Sequence, residues 1–233
     1  MAHNKRISGA KALVNQNKLY TLDEALNVLE RYSKEFKSKF DETVEVVFKL
    51  GVDPRHSDQM VRGVIPMPHG LGKKVCVAVF AKNERHEEAL KAGADIVGSE
   101  DLVDKVKGGK INFDICIATP DFMSKIAVLG KILGTKGLMP NPKLGTVSDN
   151  IVTAVTNAKS GQVEYKVEKA GLIHAGVGKL GFALAALKAN IAVLYNAVLN
   201  AKPVGAKGVY MQKMYISTTH GPSIALDLRS MLV

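Results

Sequence analysis

The sequence predicts an α/β protein of two domains, one inserted into the other, and three observations predict it. Residues 70–159 alternate short apolar strands with helical stretches, the pattern of a small parallel sheet covered by helices. The flanking segments, 1–69 and 160–233, share another style, with alternating half-buried strands and helices carrying an apolar stripe. Gly- and Pro-rich breaks, Val64 to Gly72 and Ser160-Gly161, mark both crossings.

Thr21 and Glu24 have the spacing of a capping box, and Leu22, Leu26 and Leu29 then fall on one helical face. From Thr43 to Leu50, Val44, Val46, Phe48 and Leu50 point one way and Thr43, Glu45 and Lys49 the other, which is a half-buried strand. A polar loop, Gly51 to Gly63, leads to the Pro66–Gly72 hinge. In the insert the predicted strands are Val75–Phe80, Asp95–Val97 and Asp114–Ala118. The predicted helices are Glu84–Lys91, Glu100–Lys107, Asp121–Leu133 and Asp149–Lys159. Beyond it, Gln162–Val167 reads as a strand with Leu172–His174 as its hairpin partner. Leu180, Leu184, Leu187, Ile191, Leu194 and Val198 form a helical stripe, and Val209–Ser217 and Ile224–Leu228 close the chain as strands.

The charge narrows the class of partner. The chain carries 32 Lys+Arg against 22 Asp+Glu, a net +10, which favours a polyanion through long-range attraction and counterion release. The outer segments hold +7 of this and the insert +3. No acid occurs between Glu168 and Asp227, while Lys179, Lys188, Lys202, Lys207 and Lys213 do. Such a stretch suits a face held against phosphates, or equally a core-rich half with little surface. Cys76 and Cys116 lie inside apolar runs, where a thiol acts as a small hydrophobe, so a disulfide framework is not expected and the compartment reads as cytosol-like. The stretch Met1–Ala10 lacks the apolar core of a signal peptide. Lys188 and Asn190 at the middle of Leu180–Leu199 argue for a core helix and against a membrane span.

Gly176-Val177-Gly178-Lys179-Leu180-Gly181 spells G-x-G-x-x-G, which in a dinucleotide fold lets a pyrophosphate reach a helix N-terminus. A nucleotide-dependent enzyme using this loop is the rival reading. It lacks the ribose-binding acid about 20 residues on, since the next acid is Asp227. A plain strand-to-helix turn, with Lys179 beside free amides, is the simpler account. The loop Gly134–Gly145 has no Gly-Lys-Ser/Thr triplet and is not a P-loop. It is a Pro-braced surface loop or a backbone-and-Lys contact with RNA. His3, His56, His69, His86, His174 and His220 show no metal-ligand spacing, and no nucleophile elbow occurs, so no catalytic site, metal or cofactor is expected. Lys37-Ser38-Lys39-Phe40 sets an aromatic beside cations before a strand, as RNA-gripping surfaces do, or equally Phe40 is the first core residue of that strand. Ser217-Thr218-Thr219-His220-Gly221-Pro222 ends a strand with groups able to reach 2′-hydroxyls, a composition that ordinary turns share.

Five segments then carry a family resemblance: Phe40–Val46, the loop Asp53-Pro54-Arg55 to Gly63, Pro68–Gly72, Gly134–Thr146 and Ser217–Gly221. In this order and spacing, over nearly the whole chain, the sequence resembles the L-one family of bacterial large-subunit ribosomal proteins. The resemblance implies a split ferredoxin-like α+β domain from both chain ends (1–69 and 160–233) and an inserted Rossmann-like α/β domain (70–159). It implies a cytoplasmic, monomeric constituent of the large ribosomal subunit that binds the rRNA of a mobile stalk beside the tRNA exit site. Exit-site tRNA is an implied partner, as is the mRNA of the protein's own operon, whose translation such proteins repress. By motif, the RNA-contacting positions are Lys39, Phe40, Glu42, His174, Lys179, Thr219, His220 and Gly221. Where the family usually has Met, this chain has His220, which adds a hydrogen bond and a titratable charge.

Overall fold

In chain order the first segment supplies α1 (Lys5–Ala12), α2 (Leu22–Glu35), β1 (Thr43–Leu50) and β2 (Arg62–Pro66). The middle supplies β3 (Val77–Phe80), α3 (His86–Lys91), β4 (Ile96–Gly98), α4 (Glu100–Lys107), β5 (Ile115–Ala118), α5 (Met123–Ile126), α6 (Gly130–Thr135) and α7 (Ile151–Gly161). The last supplies β6 (Gln162–Lys166), β7 (Leu172–Lys179), α8 (Leu184–Asn200), β8 (Met211–Thr218) and β9 (Ile224–Leu226). This is a computed structural model, and it describes residues 5–231, so His3 and the start of the chain lie outside it. Contacts divide the chain into two compact units, Met1–Gly72 with Val163–Val233, and Lys73–Gln162. These boundaries fall a few residues beyond the breaks at 69 and 159, because α7 continues to Gly161, whose φ of +89° ends it.

The first unit is built on an antiparallel sheet of order β7-β1-β8-β9. β1 alternates as its sequence dictates: Val44, Val46, Phe48 and Leu50 are buried, and Glu45 and Lys49 are exposed. The buried face packs with Leu22, Leu26 and Leu29 of α2 and with Leu187, Ile191, Leu194 and Val198 of α8. The α2 capping box is complete: the Glu24 amide donates to Thr21 Oγ1 at 3.3 Å and the Thr21 amide to Glu24 Oε2 at 3.1 Å. α8 begins at Leu184, so Leu180 precedes the helix. α1 was not legible in the sequence.

One pairing differs from expectation. β6 and β7 do not form a hairpin. β6 joins β2 in a separate two-stranded sheet, and β7 lies antiparallel to β1. A tight turn closed by the Glu168 and Gly171 amides switches the chain between the two sheets.

In the second unit, β4-β3-β5 form a parallel sheet. Val77, Val79 and Ile117 face α3 and α7, while Ala78, Phe80 and Cys116 face α4, α5 and α6. Both faces are covered, which is why these strands read as continuous apolar runs. The single helix expected over 121–133 is instead α5 and α6 joined by 3₁₀ turns, and Gly130 falls at the break. Cys116 is buried and free, and burial pushes its thiol up to about 12.

Candidate nucleic-acid interface

Glu42, just ahead of β1, is 1% exposed. An isolated carboxylate there would be costly, so its partners define the site. Arg6 of α1 pairs with Oε1 at 2.6 Å, and the Tyr32 hydroxyl of α2 donates to the same oxygen at 3.2 Å. Thr218 Oγ1 donates to Oε2 at 2.7 Å and the His220 amide at 3.2 Å. Burial alone would raise this carboxyl. The hydrogen bonds from Thr218, the His220 amide and Tyr32, with the Arg6 charge, outweigh it and hold the group below the usual carboxylate range. Arg6 also donates to the Phe36 carbonyl at 3.1 Å. Two helices and two strands are therefore tied to one buried anion.

The surface over this anion carries most of the sequence-predicted positions. Thr219 extends the ladder past β8: its amide donates to the Thr43 carbonyl at 3.2 Å, and the Thr43 amide donates to Thr219 Oγ1 at 3.1 Å. His220 is exposed, and its ring meets Phe40 edge to face, with centroids 5.4 Å apart. Phe40 is 50% exposed, too much for a core residue. Lys39 beside it is exposed. Lys179 ends β7 opposite Thr43, its Nζ donating to Thr43 Oγ1 at 2.8 Å and to the Asp41 carbonyl at 3.3 Å. A Cβ on Gly221 would sit 2.3 Å from Thr218 Oγ1, so only glycine leaves that hydroxyl on Glu42. A cleft of about 260 Å³ opens beside these groups, lined by Ser33, Lys37, Phe40 and Leu180 among others. His174 stands apart, exposed in mid-strand opposite Val47.

Residues 29–222 match the model of the Ribosomal protein L1p/L10e family. The chain is 55% identical over 230 residues to a protein of Rickettsia akari (strain Hartford) named large ribosomal subunit protein uL1, covering 99% of this chain and 95% of that one. Relatives of the same name from Rickettsia peacockii (strain Rustic) and Rickettsia typhi (strain ATCC VR-144 / Wilmington) are also 55% identical, over 226 and 227 residues. They cover 97% of this chain, and 93% and 94% of their own lengths. The chain belongs to the L1p/L10e family.

That family is one of ribosomal proteins and not of enzymes, and the geometry agrees at the motif that suggested otherwise. Gly176 and Gly178 lie inside β7, and α8 begins only at Leu184, so the G-x-G-x-x-G run is not a strand-to-helix turn and offers no helix N-terminus. The β1–β7 register slips from Val44↔Gly178 to Glu45↔Gly176, leaving Val177 as a bulge. A Cβ on Gly178 would fall 2.9 Å from Leu187, so this glycine serves strand–helix packing. Lys179 accordingly meets no free helix amides.

Other expectations of the L1p/L10e chain resolve locally. Glu42 is buried, with its oxygens taken up by Arg6, Tyr32, Thr218 and the His220 amide, and of these Arg6 and Tyr32 went unmarked in the sequence. The acid-free stretch does not make one cationic face. Lys188 of α8 pairs with Asp23 at 2.7 Å, whereas Lys213 lies on the outward face of β8. The Gly134–Gly145 loop is braced by the Asn141 amide, which donates to Thr146 Oγ1 at 2.8 Å. Among the described residues no His/Cys/Asp/Glu group could hold a metal, and no helix is long and apolar enough to cross a membrane.

Proposed function

We propose that this protein is a constituent of the large ribosomal subunit that binds rRNA through the surface over Glu42. One observation carries the reading: Phe40, Lys179, Thr219, His220 and Gly221, far apart in sequence, converge on a surface anchored to one buried carboxylate. Such a surface is rigid before binding, so little ordering cost falls on association. Phe40 and His220 offer faces and edges for a ribose or unstacked base, and Lys39 and Lys179 offer cations for phosphates. Thr219 Oγ1 and the half-buried backbone at Gly221 suit 2′-hydroxyl recognition. Glu42 is a positioning residue in this scheme. His174 extends the contact along the sheet.

The finer expectations belong to the same reading. The first unit is the split ferredoxin-like RNA-binding domain and the second the inserted Rossmann-like one. The RNA is the mobile stalk beside the tRNA exit site, exit-site tRNA is a transient partner, and the operon's own mRNA is a target for repression. The protein acts as a cytoplasmic monomer within the ribosome. Filter binding to large-subunit rRNA tests the surface. Phe40→Ala loses about 1–3 kcal/mol of affinity if the ring stacks on RNA. Wild-type affinity for Phe40→Ala would remove the ring from the interface.

A further inference from the structure

Lys49 of β1 and Lys213 of β8 are direct cross-strand partners, both exposed on the outward face of the sheet. Leu172 of β7 is the other neighbour of Lys49, and Asp227, just past Leu226 in the β8–β9 register, ends the row beside Lys213 with its Oδ1 accepting from the Arg229 amide at 3.0 Å. Neither lysine forms an ion pair with another described residue. Like charges directly opposite in an antiparallel pair sit about 5 Å apart at Cβ and destabilise it. The fold thus keeps two facing cations, neither held in an ion pair, where a threonine or an opposite charge at one position would serve stability better.

The position of the pair gives it a use. Thr43, Glu45, Val47 and Lys49 share the outward face of β1, and Ser217, Tyr215 and Lys213 share that of β8. His174 faces Val47, one row before the lysines, and Lys49 is its diagonal neighbour. From Thr219 to Lys213 is six residues of strand, about 20 Å at roughly 3.3 Å each. An RNA touching both Thr219 and His174 therefore passes the Glu45–Ser217 row, crosses the Val47–Tyr215 row and reaches the lysines next.

We infer that Lys49 and Lys213 together bind a backbone phosphate of the RNA, as the far end of the interface that begins at Thr219. This rests on the rRNA-binding reading above and adds a site to it. One anion between the two ammonium groups replaces their repulsion by two attractions and releases a condensed counterion. The pair carries charge and no base-reading group, so its contribution is independent of sequence.

The test uses the full chain and large-subunit rRNA, titrated at several salt concentrations, with thermal unfolding of the free protein alongside. The double variant Lys49→Thr/Lys213→Thr should lower the slope of log K against log salt by about 0.9, equivalent to about 8-fold in affinity at 0.1 M salt. Its free form should unfold at the wild-type temperature or above. Lys49→Arg/Lys213→Arg should keep the wild-type slope. An unchanged slope in the threonine variant, with the wild type binding normally, overturns the phosphate site alone. An equal loss in the arginine variant, or a lowered unfolding temperature that accounts for the weaker binding, overturns it too. If the wild type binds no rRNA, the broader reading fails instead.

Discussion

Glu42 organises the candidate interface without facing the solvent, so its substitution separates support from contact. Glu42→Gln leaves Arg6 without its anion and should cost about 3 kcal/mol, the low end for breaking a buried pair because Arg6 keeps some access to water. The Glu42 carboxyl is held below its ordinary value, so its stabilisation is full above the unfolded carboxylate pKa, about 4.3. It is lost as pH falls through the lowered folded value. The unfolding-temperature gap between wild type and Glu42→Gln should therefore close on acidification below about pH 4. A gap independent of pH would mean that the carboxylate charge contributes nothing.

Gly221→Ala should displace Thr218 from Glu42 and weaken RNA binding with a smaller effect on stability. Thr219→Val removes the acceptor of the Thr43 amide as well as the hydroxyl available to RNA. Its affinity loss should be about 1–3 kcal/mol. His220→Met removes the ring that meets Phe40 edge to face and should change RNA affinity while leaving the unfolding temperature near that of wild type. Wild-type affinity for His220→Met would exclude the imidazole from the contact.

At the scale of elements, local signals were legible and distant ones were not. The Thr21–Glu24 box and the alternation of β1 are written within a few residues, and both stand in the structure as read. Thr21→Ala should cost about 1 kcal/mol, measurable by denaturant unfolding. The pairing of β6 with β2 could not be read this way, because nothing local tells a strand which of two neighbouring edges it will join. The Glu42 network was hidden for the same reason: Arg6 is 36 residues away and Thr218 is 176. The G-x-G-x-x-G run shows the converse, a local motif emptied by its context, with its first two glycines spent on a bulge and on close packing in β7.

Asn190 of α8 was legible only as a polar interruption of an apolar stripe. It is fully buried, donating to the Val177 carbonyl at 2.8 Å and the Gly70 carbonyl at 3.0 Å and accepting from the His69 amide at 3.2 Å. It thereby fastens the Pro68–Gly72 segment to the helix and to the β7 bulge. Asn190→Leu keeps the volume but leaves those groups unpaired, at about 1–3 kcal/mol each where water cannot reach them. A thermal unfolding temperature unchanged by Asn190→Leu would contradict this.

For the whole molecule, the first unit alone should suffice for RNA recognition. It holds the Glu42 surface, the cation pair at Lys49 and Lys213, and a core of its own. Joining residues 1–72 to 163–233 by a short linker should leave a folded protein that retains most of the affinity. The central claim is that the surface over Glu42 meets large-subunit rRNA, and chemical footprinting of that RNA tests it most directly. One compact protected region is expected, preserved with the joined first unit and lost with a Phe40→Ala/Thr219→Val double variant. Protection that survives the double variant unchanged, or that follows residues 73–162 expressed alone, would contradict it.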